Sequence, residues 1–219
     1  TLGAVRGTAA VTVAARGAVS AGDVVGATTT AGDVTLSSTD GALTVKSVTA
    51  GTSTVASNAT LLAKGRVGVD PLASSPGNVT ASGGVRLESQ AADVIAGVLR
   101  ATDATVTATG GDVSIGGATA RTLTVSAAAG QAGAGDVRIG GPVTLTPAAG
   151  TPAGATPALR VQAARDITVA GAVTSERNVA FVAGRRFSNT GAIDVTAGTA
   201  ADGSGAAGYG GIDIRAADA

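Results

Sequence analysis

The 219-residue sequence has no cysteine, histidine, methionine or tryptophan, and only one tyrosine and two phenylalanines. Without cysteine there is no disulfide and no thiolate metal site, and without histidine the commonest metal ligand and general base is missing. Any hydrolytic or transfer chemistry is left to carboxylates, or to a serine assisted by Lys46 or Lys64, and no motif sets up either arrangement. No catalytic residue, cofactor or metal ligand is therefore expected. The scarcity of aromatics has a second consequence. A compact globule fills its centre with large side chains, whereas here Val, Ile, Leu and Ala must close the interior alone. That favours a thin core repeated along an axis.

Charge of one sign is also lacking. Fifteen basic and fifteen acidic residues cancel, and no run of like charges stands out, so there is no electrostatic footprint for nucleic acid or an anionic membrane. Nowhere do about 18 consecutive apolar residues occur, so no membrane span is expected. The opening TLGAVRGTAA has no methionine, basic segment or apolar leader core and reads as an interior piece of something larger. What is present is 44% hydrophobic residues and 34 glycines. This is not the composition of a disordered chain, and residues 1–219 are expected to fold as one unit.

Short alternating segments recur from end to end: VTV from Val11, VTL from Val34, LTV from Leu43, VRL from Val85, VSI from Val113, LTV from Leu123, VRI from Val137, ITV from Ile167, IDV from Ile193 and IDI from Ile212. Each has a period of two, is rich in β-branched residues and is bounded by Gly, Asn, Asp or Ser, the pattern of short half-buried strands. No segment carries a helical period with caps. The cores recur near every ten residues and the larger pattern near every twenty, as from Gly171 to Gly191. A repeat of about twenty residues with two or three strands is the mark of a β-solenoid, each coil stacking on the last. The repeat is irregular, so some coils must carry loop insertions, above all between Val195 and Ile212. The spacing predicts on the order of ten coils and a rod of roughly 50 Å. Val113 and Ile115 should face the axis, and Asp112 and Ser114 water. A β-sandwich would tolerate similar strand spacing, but the strands are short and the large core residues of that fold are missing.

Several motifs invite a chemical reading. GSGAAG (203–208) is a literal GxGxxG, but a strand pattern follows it where a nucleotide-binding loop needs a helix. Gly-Asp-Val stands at Gly22, Gly32, Gly111 and Gly135, without the tandem glycine–aspartate order of calcium-binding turns. Asp40, Asp70, Asp93, Asp103, Asp112, Asp136, Asp166, Asp194 and Asp213 could supply a carboxylate pair for polysaccharide cleavage, but most sit beside glycine or at a strand start, where turn geometry favours aspartate. Thr-x-Thr pairs at Thr105, Thr122 and Thr144 would present hydroxyls in ranks only if evenly spaced. Asn58-Ala59-Thr60 and Asn78-Val79-Thr80 are glycosylation acceptor sequences. Arg185, Arg186 and Phe187, with Tyr209, are the candidates for surface recognition of an acidic or glycan partner.

The stretch NVAFVAGRRFSNTGAIDVTAG (178–198) resembles the repeats of filamentous haemagglutinins and related exoproteins of bacterial two-partner secretion. Those repeats run strand, polar turn with an N-x-G element, strand, and Asn189-Thr190-Gly191 followed by Ile193 and Val195 fits that frame. AGDVTLSSTDGALTVKSVTAG (31–51) and ARDITVAGAVTS (164–175) have the same texture. The resemblance implies an all-β, right-handed parallel β-helix. It also implies a segment of a long filament that is secreted or held at the bacterial cell surface, exported through an outer-membrane partner transporter. Such a filament binds receptors on host cells or other bacteria. Family members include adhesins and the stalks of contact-dependent growth-inhibition toxins. The chain lacks an Arg-Gly-Asp tripeptide, so the receptor stays open.

Overall fold

The structure, a computed structural model, describes residues 1–27, 31–51, 55–70, 72, 74–130, 133–146, 157–196 and 211–217. All regular structure among them is β, in two sheets of nine and thirteen strands. Strands adjacent in a sheet come from successive coils and pair in parallel. In the smaller sheet Gly84–Ser89, Asp103–Ala108 and Thr122–Ala127 lie side by side. This is a parallel β-helix, as the periodicity predicts, and the parallel order rules out the antiparallel sandwich.

One coil shows how it is built. Val113–Ala120 lies in the larger sheet, Arg121 turns the chain, and Thr122–Ala127 crosses to the smaller sheet. The chain then returns at Val137–Ile139 to lie against the start of Val113–Ala120. The far end of that eight-residue strand pairs with Val143–Leu145, so the larger sheet bends at a corner around Gly140, Gly141 and Pro142. The closest coils are 19 residues apart, as Asp93 and Asp112 are along the axis. The longest connections run from Leu145 to Leu159 and from Val195 to Ile212, each leading from a strand of the larger sheet to one of the smaller. Nine strands in the smaller sheet, at about 4.8 Å per step, give a rod of about 40 Å.

Alternation fills the axis. Leu36, Leu61, Leu87, Val106, Val125, Val161 and Phe181 stack as one inward column. Leu43, Val67, Val94, Val113, Val137 and Ile167 stack as another. Nearly all of these side chains are completely buried, each contributing about 1.5–3 kcal/mol by leaving water. The core therefore needs no large residues, because like stacks on like every coil. Phe181, the largest buried side chain, is the exception. Its ring meets Phe187 at 5.0 Å between centroids, tilted by 52°.

Candidate functional site

Four of the aspartates line up at one corner of the coil. Asp93, Asp112, Asp136 and Asp166 each precede a strand of the larger sheet, and the registers of those strands bring them into one file along the axis. Each carboxylate accepts from backbone one coil further on. The Asp112 N–H donates to Asp93 Oδ1 at 3.0 Å, and the N–H groups of Gly135 and Asp136 donate to Asp112 Oδ1 at 2.8 and 2.9 Å. The Asp166 N–H donates to Asp136 Oδ1 at 3.1 Å, and the Arg186 N–H to Asp166 Oδ1 at 3.2 Å. These are turn amides that the sheets leave unpaired, and a carboxylate is a strong acceptor for them. Sequence reading assigns Asp112 only to solvent. Its carboxylate is instead half-buried and tied to the next coil.

Four stacked carboxylates repel, and arginines offset this. Arg66 lies 3.4 Å from Asp93, Arg165 3.6 Å from Asp136, and Arg185 Nε donates to Asp166 Oδ1 at 2.8 Å. Among the described residues Asp112 alone of the four has no ion pair, so it reports the ladder's hydrogen bonding without a salt bridge. Asp112→Ala is expected to cost about 2 kcal/mol by stranding two N–H groups. Asp112→Asn, which keeps an acceptor oxygen, is expected to cost less than about 1 kcal/mol. Urea unfolding of the two variants compares them directly.

Arg185, Arg186 and Phe187 form the end of this ladder. Hydrogen bonds from the Arg185 side chain, opposed by desolvation and aided by the charges of Arg185 and Arg165 and the Arg186 amide, hold the Asp166 carboxyl at about 2. It is a committed acceptor at neutral pH and unsuited to donate a proton as a general acid. The folded value lies below the unfolded one. The ionised carboxylate therefore stabilises the fold fully above about pH 4, and the effect is lost as pH falls through about 2. Because the pair is partly solvated, its contribution is discounted to about 1 kcal/mol. Asp166→Asn is expected to lower stability by that amount at pH 7 and by progressively less as pH falls from about 4 through about 2, read from denaturant midpoints across the range.

The recognition candidates divide. Arg185 is paired to Asp166, the Arg186 side chain is exposed, and Phe187 packs against the core and Phe181. Tyr209 and GSGAAG (203–208) lie outside the described residues. Gly-Asp-Val takes three roles. Besides the ladder, Asp23 lies within Val19–Val25 and accepts from Ser47 Oγ at 2.7 Å, while Asp33 stands at another corner and accepts from the Asn58 N–H at 2.6 Å. The acceptor-sequence asparagines are used structurally. Asn58 Oδ1 accepts from Gly84 N–H at 2.7 Å and Asn78 Oδ1 from Val98 N–H at 2.9 Å.

Most of the other aspartates are also engaged. Asp40 pairs with Arg16 and Lys64, Asp103 with Arg121, and Asp213 with Arg215. Asp70 occupies a turn at φ 46°, and Asp194 points outward. Among the described residues no group of three or more acidic side chains could hold a metal ion. The threonine pairs split between faces. Thr105 and Thr107 lie beside Thr124 and Ser126 on the smaller sheet, where Arg160 and Gln162 end the rank, while Thr144 is on the larger. No helix is long and apolar enough to cross a membrane among the described residues. Compared with known proteins, the chain matches no family model, no curated protein and no solved structure.

Proposed function

We propose that the chain is a non-catalytic stalk segment of a large, secreted or surface-exposed bacterial exoprotein of the filamentous haemagglutinin kind. Its task in this reading is to carry a binding or toxic tip away from the cell and toward receptors on host cells or other bacteria. The observation that carries the reading is the uninterrupted inward column from Leu36 to Phe181, one residue per coil. A continuous core with parallel pairing at every step makes a stiff, extendable rod. The aspartates that would serve a polysaccharide-processing enzyme are largely taken up by the corner ladder and by ion pairs, which favours the stalk over that alternative.

The test is a substitution of whole coils. In a surface-displayed fusion, the chain is set between an outer-membrane anchor and a ligand-binding tip. Exchanging it for an unrelated β-helix of equal length should preserve attachment to tip-specific cells, and deleting it should reduce attachment through a thick glycan layer. Loss of attachment on the equal-length exchange would instead show that the segment itself recognises the surface. Separating an adhesin stalk from a contact-dependent toxin stalk rests on the tip and on the presence of an immunity partner.

A further inference from the structure

The two acceptor sequences for N-linked sugar are built alike and differ at one atom. Asn58-Ala59-Thr60 leads into Ala59–Ala63, and Asn78-Val79-Thr80 into Val79–Ala81. In each the middle residue is completely buried, so the flanking asparagine and threonine stand together on the outer side of the extended chain. Both asparagines are exposed. Each amide oxygen is held by a backbone donor of the next coil, Gly84 N–H for Asn58 and Val98 N–H for Asn78. An N–H can be met only by the oxygen of the amide, which fixes where each side-chain nitrogen stands.

The nitrogens are not equivalent. Asn58 Nδ2 donates to Asp33 Oδ1 at 3.4 Å, and the Asn58 N–H donates to the same oxygen at 2.6 Å. Asn78 has its oxygen engaged and its Nδ2 unengaged among the described residues. Ser47, which precedes Val48 as Asn78 precedes Val79 in the paired strand, directs its own hydroxyl to Asp23. Gly97 on the next coil presents no side chain, and a Cβ there would fall 2.8 Å from Asn78 Oδ1.

We propose that Asn78 is a glycan attachment site on the folded rod, and that Asn58 is closed to the same modification. The substrate class is a sugar activated at its anomeric carbon by a nucleoside diphosphate, delivered by a transferase that reads Asn-x-Thr. Asn78 Nδ2 bonds to the anomeric carbon, the bond from that carbon to the diphosphate oxygen breaks, nucleoside diphosphate leaves, and Nδ2 gives up one of its two protons. The carbonyl is not consumed, so Oδ1 keeps accepting from the Val98 N–H and the coil loses no hydrogen bond. At Asn58 the nitrogen must first leave the Asp33 carboxylate, and breaking a bond to a charged acceptor should slow the step about tenfold or more.

The folded 219-residue chain is incubated with UDP-glucose and a soluble transferase acting on Asn-x-Ser/Thr, and the sugar is located by peptide mass mapping over time. Unstructured peptides covering residues 52–64 and 72–84 serve as references. The expected result is hexose on Asn78 of the folded chain, with Asn58 slower by about tenfold or more, and comparable rates in the two peptides. Thr80→Val, an outward change of nearly equal shape, should abolish modification at Asn78. Hydrogen exchange should find the Val98 amide as protected in the modified chain as in the unmodified one, and unprotected in Asn78→Ala. No sugar on Asn78 of the folded chain, equal rates there at both asparagines, or loss of Val98 protection on modification overturns the proposal. A preference for Asn78 that is equally large in the peptides overturns it as well, because it would owe nothing to Asp33.

Discussion

Aspartate placed at Val113 or at Ile115 will destabilise the fold by about 4 kcal/mol or more, and aspartate at Ser114 between them by less than about 1 kcal/mol. Val113 and Ile115 are 0% and 1% exposed, in inward columns flanked by Val94 and Val137 and by Ala96 and Ile139. No donor stands in those columns, whose Val, Ile, Leu and Ala side chains offer a water no polar partner with which to follow the charge. The buried carboxyl would stay protonated to a higher pH than in the unfolded chain. The penalty is then largest at neutral pH, shrinks as pH falls towards the unfolded value of about 4, and levels off below it. Ser114 points outward between Ile95 and Arg138, and aspartate there gains a cation one coil away. Urea unfolding of the three variants at pH 7 and pH 4 checks both the ordering and its pH dependence. Equal damage at all three positions would sink the inward and outward assignment.

That contrast was legible in the sequence because it needs only the period of two. The fold class was legible for a related reason: alternating β-branched triplets at intervals near twenty suit stacked coils, and the short strands and missing large core residues weigh against a sandwich. What depends on register between coils was not. Gly-Asp-Val is one tripeptide in three settings, a corner ladder at Asp112 and Asp136, a second corner at Asp33, and mid-strand at Asp23. The setting is decided by which residue of the neighbouring coil lies alongside, and coil lengths vary. A fixed offset between motifs therefore does not translate into a fixed place on the coil. Strand starts separate mid-strand Asp23 from the corner aspartates but not the two corners, since Asp33 precedes Val34 just as Asp93, Asp112, Asp136 and Asp166 each precede a Val or Ile that opens a strand. Phe187 likewise depends on register: beside two arginines in the sequence, its half-buried ring packs against the core and Phe181, a contact set by the stacking of Val179–Ala183 near Phe187–Asn189.

The second large effect concerns the bend in the larger sheet, where Gly171→Ala is expected to cost about 3 kcal/mol or more. Gly116, Gly141, Gly171 and Gly191 lie one above another at this corner. A Cβ on Gly171 would fall 2.0 Å from the carbonyl carbon and oxygen of Gly141, one on Gly141 2.0 Å from the Gly116 oxygen, and one on Gly191 2.2 Å from the Gly171 oxygen. The requirement is for close approach of backbones and not for a left-handed φ, since none of these glycines is among those with positive φ. It accounts for the glycine of Asn189-Thr190-Gly191, whose asparagine closes the turn by accepting from the Gly191 N–H at 3.2 Å. The clashing partner is main chain, so no rotamer change relieves it. The coils must part, and the first bonds to suffer are Val143 N–H to Ala172 O at 2.8 Å and Ala170 N–H to Ile139 O at 2.9 Å. Gly17→Ala is the control, since a Cβ there meets nothing within 4 Å; it should change stability by less than about 0.5 kcal/mol. Hydrogen exchange should show lost protection at Val143 and Ala170 in the Gly171 variant, while amides of the Leu36 to Leu87 column stay protected. Uniform loss along the rod would mean that the coils fail together rather than at this corner.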